Sequence, residues 1–117
     1  MKKDPRIFIE HILECIELIE EYTEKTSEDT FLKSRLLQDA IIRRILIIGE
    51  AVKNIPQEVK DRYSDIPWKR IAGMRDILIH VYWGIDLHLT WNVVIKEIYE
   101  FKKKVLEIQK DLNDINN

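Results

Sequence analysis

Leu36-Leu37-Gln38-Asp39-Ala40-Ile41-Ile42-Arg43-Arg44-Ile45-Leu46-Ile47-Ile48-Gly49-Glu50-Ala51-Val52 is the stretch that decides the fold. Leu36, Leu37, Ala40, Ile41, Ile45, Ile48 and Val52 recur at the three- and four-residue spacing of one helical face. Ile42, Leu46 and Ile47 widen that face beyond a single stripe. A helix this apolar is either central to its domain or meets a second subunit. Gly49 in its middle costs roughly 1 kcal/mol against alanine, which points to a close helix crossing or to room for a ligand. The spacing predicts one helix over 31–54.

The same rhythm extends in both directions. Upstream, Pro5 suits a first helical position with Asp4 as its cap, and a helix is expected over 5–26. Its inner stripe is Phe8, Ile12, Cys15, Ile16, Ile19 and Tyr22, and Glu10, Glu14, Glu17, Glu20 and Glu21 face water. Downstream, Pro56 opens a short helix to Arg62, and Ser64-Asp65-Ile66-Pro67 breaks the chain again. A helix is then expected over 68–82, closed by Gly84. Asp86 caps a last helix over 87–112, with Trp91, Val94, Ile95, Ile98, Tyr99, Phe101, Val105 and Ile108 turned inward. No stretch alternates with period two, and only three Gly and three Pro interrupt the chain. The expected architecture is an all-α antiparallel four-helix bundle with an extra short helix, as a single domain over 1–117.

Composition narrows the function classes. Charged residues make up 34% of the chain, yet the net charge is only -2, so the surface is mixed in sign and is no basic glove for nucleic acid. RNA would have to be met by local clusters: Arg43-Arg44, Lys69-Arg70 with Arg75, and Lys102-Lys103-Lys104. The plainer reading of the lysine run is a solvated helix face. Cys15 is the only cysteine and lies among isoleucines, which suits a small buried hydrophobe in a reducing cytoplasm. Neither a signal peptide nor a membrane span is expected. No His-x-x-x-His and no cysteine pair offers a metal site, and no cofactor is implied.

Chemistry concentrates in Arg75-Asp76-Ile77-Leu78-Ile79-His80-Val81-Tyr82. An arginine can hold a phosphate bidentately, and an imidazole trades protons near neutral pH. Asp76 and His80 are four apart and share a helix face, so the carboxylate can fix the imidazole tautomer. Arg75 and Tyr82, seven apart, also share a stripe. Arg75 and His80 are five apart, about 140° out of line on a helix. Both reach one phosphate only if Arg75 stretches across, the helix breaks, or a second copy contributes. A neutral His80 could accept a 2'-hydroxyl proton while Arg75 stabilises the phosphorane. The plain alternative is a histidine satisfied by Asp76 inside a helical scaffold. Trp91 belongs in the core by its place on an apolar stripe, whereas Trp68 and Trp83 could pack or stack on bases.

At these residues the chain resembles the HepT-type toxins of the HEPN superfamily. Their hallmark, Arg-x-x-x-x-His-x-Tyr, is matched by Arg75, His80 and Tyr82. The flanking blocks Ile66–Met74 and Val81–Asp86 are similar too, as are Asp39–Arg44 and Ile48–Pro56. The resemblance covers essentially the whole chain. It implies a HEPN-like helical fold that forms a homodimer, with two Arg/His pairs facing a shared cleft. It implies a metal-independent endoribonuclease with Arg75 and His80 catalytic, acting on RNA as the toxin of a toxin–antitoxin pair. It further implies a minimal nucleotidyltransferase antitoxin of the MntA type that transfers AMP onto Tyr82. Asp76 is a departure where the family often carries asparagine; its charge could orient His80 or weaken RNA binding. The alternative is a non-catalytic helical module that binds a nucleotide or a nucleotidyltransferase partner.

Overall fold

The computed structural model describes residues 4–80 and 86–115, with the backbone alone at 75–80 and 115. Every regular element among the described residues is helical: α1 (Pro5–Thr23), α2 (Glu28–Lys33), α3 (Arg35–Asn54), α4 (Gln57–Arg62), α5 (Trp68–His80), α6 (Leu87–Asn92), a π-helical turn (Val93–Glu97) and α7 (Ile98–Ile115). α1 lies along α3 and α7, α3 lies along α5, and α2 bridges α3 and α6. One core joins them. Ile12, Ile16 and Ile19 of α1, Ile41, Ile45, Ile48 and Val52 of α3, and Val105 and Ile108 of α7 are sealed from solvent, and Trp68 and Ile71 bring α5 into the same cluster. The burial follows from the three- and four-residue spacing of these side chains, which puts them on facing stripes.

The expected caps are present. The Asp4 carboxylate accepts from the Arg6 amide (3.0 Å), with Pro5 in the first turn. The Asp86 carboxylate accepts from the Leu89 amide (3.0 Å). Cys15 is buried, and burial pushes its thiol pKa up against the opposing pull of Arg44. α1 buries Ile9 and Leu13 beside the expected stripe, while Phe8 and Tyr22 are only partly covered. It ends at Thr23, three residues early, where the Thr23 hydroxyl donates to the Ile19 carbonyl (2.8 Å).

Two expectations need correction. The helix predicted over 31–54 is two helices. Ser34 is extended, and its hydroxyl accepts from the Leu37 amide (3.1 Å), so α3 starts afresh at Arg35. The Gln38 side-chain amide donates to the carbonyls of Phe31 and Leu32 (2.9 and 3.1 Å), satisfying the end of α2. The last helix is also interrupted, by the π-turn. Its extra residue shifts the face the chain presents. Trp91, Val94, Ile98, Phe101, Val105 and Ile108 are buried as expected, but Ile95 and Tyr99 are 47% and 57% exposed. Beyond the turn the buried rhythm runs Ile98, Phe101, Val105, Ile108, Leu112. Tyr99 stands one residue, about 100°, off that rhythm.

Candidate functional site

α5 carries the candidate chemistry, and its first turn is held firmly. Trp68 is buried, and its indole N–H donates to the Tyr63 carbonyl (3.1 Å). Its ring meets Phe101 of α7 edge-on, with centroids 6.2 Å apart. The Tyr63 hydroxyl donates to Asp111 (2.6 Å), and Lys104 pairs with the Asp65 carboxylate (3.1 Å) while also donating to its carbonyl (3.3 Å). Burial, then the hydrogen bond to Asp111, pushes the Tyr63 phenol up to about 12. Arg70 reaches Glu97 as an ion pair across to the π-turn. The loop before α5 is thus pinned to α7 by side chains 39 to 48 residues away in sequence.

Beside that anchor the first turns of α5 face α7. A groove of about 240 Å³ opens between them, floored by Ile71, Ile98 and Phe101, with Met74 on its wall and Arg70 and Glu97 at its rim. The α5 backbone then continues as one helix through His80. The option of a helix break between Arg75 and His80 therefore falls away. The angular offset of about 140° between those positions stands. Asp76 and His80 remain one turn apart on a common face of that backbone. The side chains of Arg75, Asp76 and His80 lie outside the described residues, as do Tyr82, Trp83 and Gly84 altogether.

The basic candidates divide. Lys69 and Arg43 are exposed, with no partner among the described residues. Arg70 is occupied by Glu97. Arg44 is half-buried and turned toward α1, its Nη1 3.9 Å from Cys15 Sγ. The lysine run is spent on the chain's own acids: Lys102 on Glu20 (2.6 Å), Lys103 on Glu100 (3.6 Å) and Lys104 on Asp65 (3.1 Å). The solvated-face reading holds for Lys103; Lys102 and Lys104 are half-buried and tie α7 to α1 and to the loop before α5. Trp68 is a core residue here, and Trp91 packs against Phe31 with centroids 5.3 Å apart. His88 pairs with Glu28 (2.8 Å), tying α6 to α2. Sequence reasoning missed the Tyr63–Asp111 and Asp65–Lys104 clamp, because no local pattern joins residues so far apart along the chain. No group of His, Cys, Asp and Glu among the described residues could hold a metal ion, and no helix there is long and apolar enough to cross a membrane.

Comparison with known proteins places this geometry in context. The family described as Ribonuclease HepT-like matches residues 12–108. A Methanocaldococcus jannaschii protein named "Gamma-glutamylcyclotransferase and putative RNase" is 56% identical over the whole chain, which spans 53% of that protein's length. A "Putative RNase" of Caldanaerobacter subterraneus is 46% identical over 91% of the chain and 95% of its own length. A "Probable ribonuclease HepT" of Thermococcus cleftensis is 43% identical over 94% of the chain and all of its own length. No solved structure matches.

Proposed function

Because this chain belongs to the HepT-like ribonuclease family, we propose that it is a metal-independent endoribonuclease with Arg75 and His80 as its catalytic pair. The supporting observation is the family match over residues 12–108, which encloses Arg75, His80 and Tyr82 together. In this reading the chain folds as one domain over 1–117, an antiparallel bundle of four main helices. Neutral His80 accepts the 2'-hydroxyl proton of an RNA nucleotide. The freed oxygen attacks the adjacent phosphorus, and the 5'-oxygen leaves with a proton. The product ends in a 2',3'-cyclic phosphate. Arg75 stabilises the charge that builds on the phosphorus oxygens, and Asp76 orients the imidazole. Lys69 and Arg43 supply positive charge along the RNA backbone; Arg70 joins them only by leaving Glu97, and Arg44 only by leaving Cys15.

The unbroken α5 favours a site shared by two copies. A guanidinium and an imidazole about 140° apart on one helix converge more readily when each comes from a different protomer of an isologous homodimer. The protein then serves in the cytoplasm as the toxin of a toxin–antitoxin pair. A minimal nucleotidyltransferase antitoxin neutralises it: the Tyr82 phenol oxygen attacks the α-phosphorus of ATP, pyrophosphate leaves, and Tyr82 carries AMP. The added charge and bulk would stand near the RNA phosphate.

Cleavage of RNA in the presence of EDTA tests the nuclease. Arg75→Ala and His80→Ala are each expected to slow it by about 10²–10⁴ with the helical signal intact. Wild-type rates in both variants would refute the assignment. Mixing the two inactive variants tests the shared site. Random pairing restores about a quarter of wild-type activity if each site takes one residue from each protomer, and nothing if both come from one. Mass spectrometry after incubation with the nucleotidyltransferase and ATP tests the modification, which Tyr82→Phe is expected to abolish.

A further inference from the structure

The side of the molecule between α1 and the π-turn–α7 segment has no part in the chemistry proposed above. A furrow of about 150 Å³ runs there, floored by Ile16, Ile19, Val94 and Ile98 and lipped by Ile95 and Tyr99. Those last two are 47% and 57% exposed, four residues apart, and share a helical face. Single apolar side chains on a surface are ordinary, but here two line one furrow. The α1 edge continues into a shallow acidic depression formed by Glu17, Glu20, Glu21 and Glu24 around Thr23. Glu20 and Thr23 belong to both hollows, so they form one continuous surface. Glu20 is paired with Lys102, whereas Glu17, Glu21 and Glu24 have no cationic partner among the described residues.

We propose that this furrow docks an amphipathic helix from a separate protein, one that carries Lys or Arg beside an apolar stripe. An apolar slot between two helices accepts a helix through side chains three and four apart. The unpaired carboxylates along one lip select the sign of the charge flanking that stripe. RNA fits poorly, since its phosphates would face Glu17, Glu21 and Glu24. An anionic membrane meets the same repulsion. A second copy fits no better. Two-fold pairing sets a patch against itself, and the α7 lysines beside the furrow are engaged: Lys102 by Glu20, and Lys103 by Glu100 and the Tyr99 ring. This inference does not rest on the nuclease reading.

The test uses the full chain and a labelled synthetic helical peptide of Leu and Lys, with the leucines on one stripe, followed by fluorescence anisotropy. A matched Leu/Glu peptide serves as the control, and a labelled RNA oligonucleotide is titrated separately against each protein. The Leu/Lys peptide is expected to bind, and the Ile95→Ser/Tyr99→Ser variant to bind it about tenfold more weakly, in proportion to the apolar area lost. Glu17→Gln/Glu21→Gln/Glu24→Gln is expected to weaken it as well, and added salt to erase that difference. All five side chains are exposed, so circular dichroism should be unchanged. Undiminished affinity in either variant, or equal binding of the Leu/Glu peptide, would overturn the proposal. So would loss of RNA binding, or loss of a dimer, in the Ile95→Ser/Tyr99→Ser variant.

Discussion

α1 and α5 are held in opposite ways. α1 seals its stripe along most of its length: Ile9, Ile12, Cys15, Ile16 and Ile19 are all within 2% of complete burial. α5 lies along α3 and carries in addition a polar anchor near its start. Ile66, Trp68 and Ile71 are buried there, polar clamps tie the preceding loop to α7, and Ile71 and Met74 line the groove. A structural helix gains most by covering its apolar face. A helix with a groove beside it gives up some of that gain and needs other contacts to fix its position. The clamp at Tyr63, Asp65 and Trp68 ties the start of α5 to α7 by a few directional bonds.

Three measurements would sharpen or break this contrast. The largest expected effect is in α1: Ile16→Ala should lower unfolding free energy in denaturant by about 2–5 kcal/mol, because the residue is fully enclosed and its neighbours cannot collapse. Met74→Ala, at the half-covered wall of the groove, should cost about 1 kcal/mol or less, since the hollow is already open to water. Equal losses at the two positions would mean that α5 is packed as tightly as α1.

The smallest effect concerns the clamp. Tyr63→Phe removes one exposed hydrogen bond to Asp111 and should cost roughly 0.5 kcal/mol, the low end for such a bond. Its pH dependence carries a definite sign. The folded-state phenol titrates at about 12, above its usual value of 10.0. The wild-type contribution is therefore complete below pH 10 and is lost as pH rises toward 12, because the unfolded chain releases its proton first. Stability of Tyr63→Phe should lack that decline. A parallel decline in both proteins would assign it to other groups.

Much of the fold was legible because it is local. Apolar residues at helical spacing, Asp4 and Asp86 as caps, and prolines at 5, 56 and 67 mark where helices run and start. The misses have physical causes. Ser34 reads as an ordinary helical residue until its hydroxyl is seen to cap α3. Ile95 and Tyr99 fit an uninterrupted 3.6-residue period, and the π-turn breaks that period without any proline or glycine to announce it. For the candidate site, the residue types and their order on α5 were readable directly. Which basic side chains are free was not: Arg44 and Arg70 look like Arg43 and Lys69 until Cys15 and Glu97 are brought beside them.

The sequence by itself determined that this is a chain of helices with a core of isoleucine, since periodicity and capping act between residues a few places apart. It also determined which residues could do chemistry, since side-chain type sets what a group can bind or titrate. Only the tertiary structure decided which of those groups are already spent on one another, and where the surface stays open. Pairing and exposure depend on residues dozens of positions apart, and the chain brings those together only on folding.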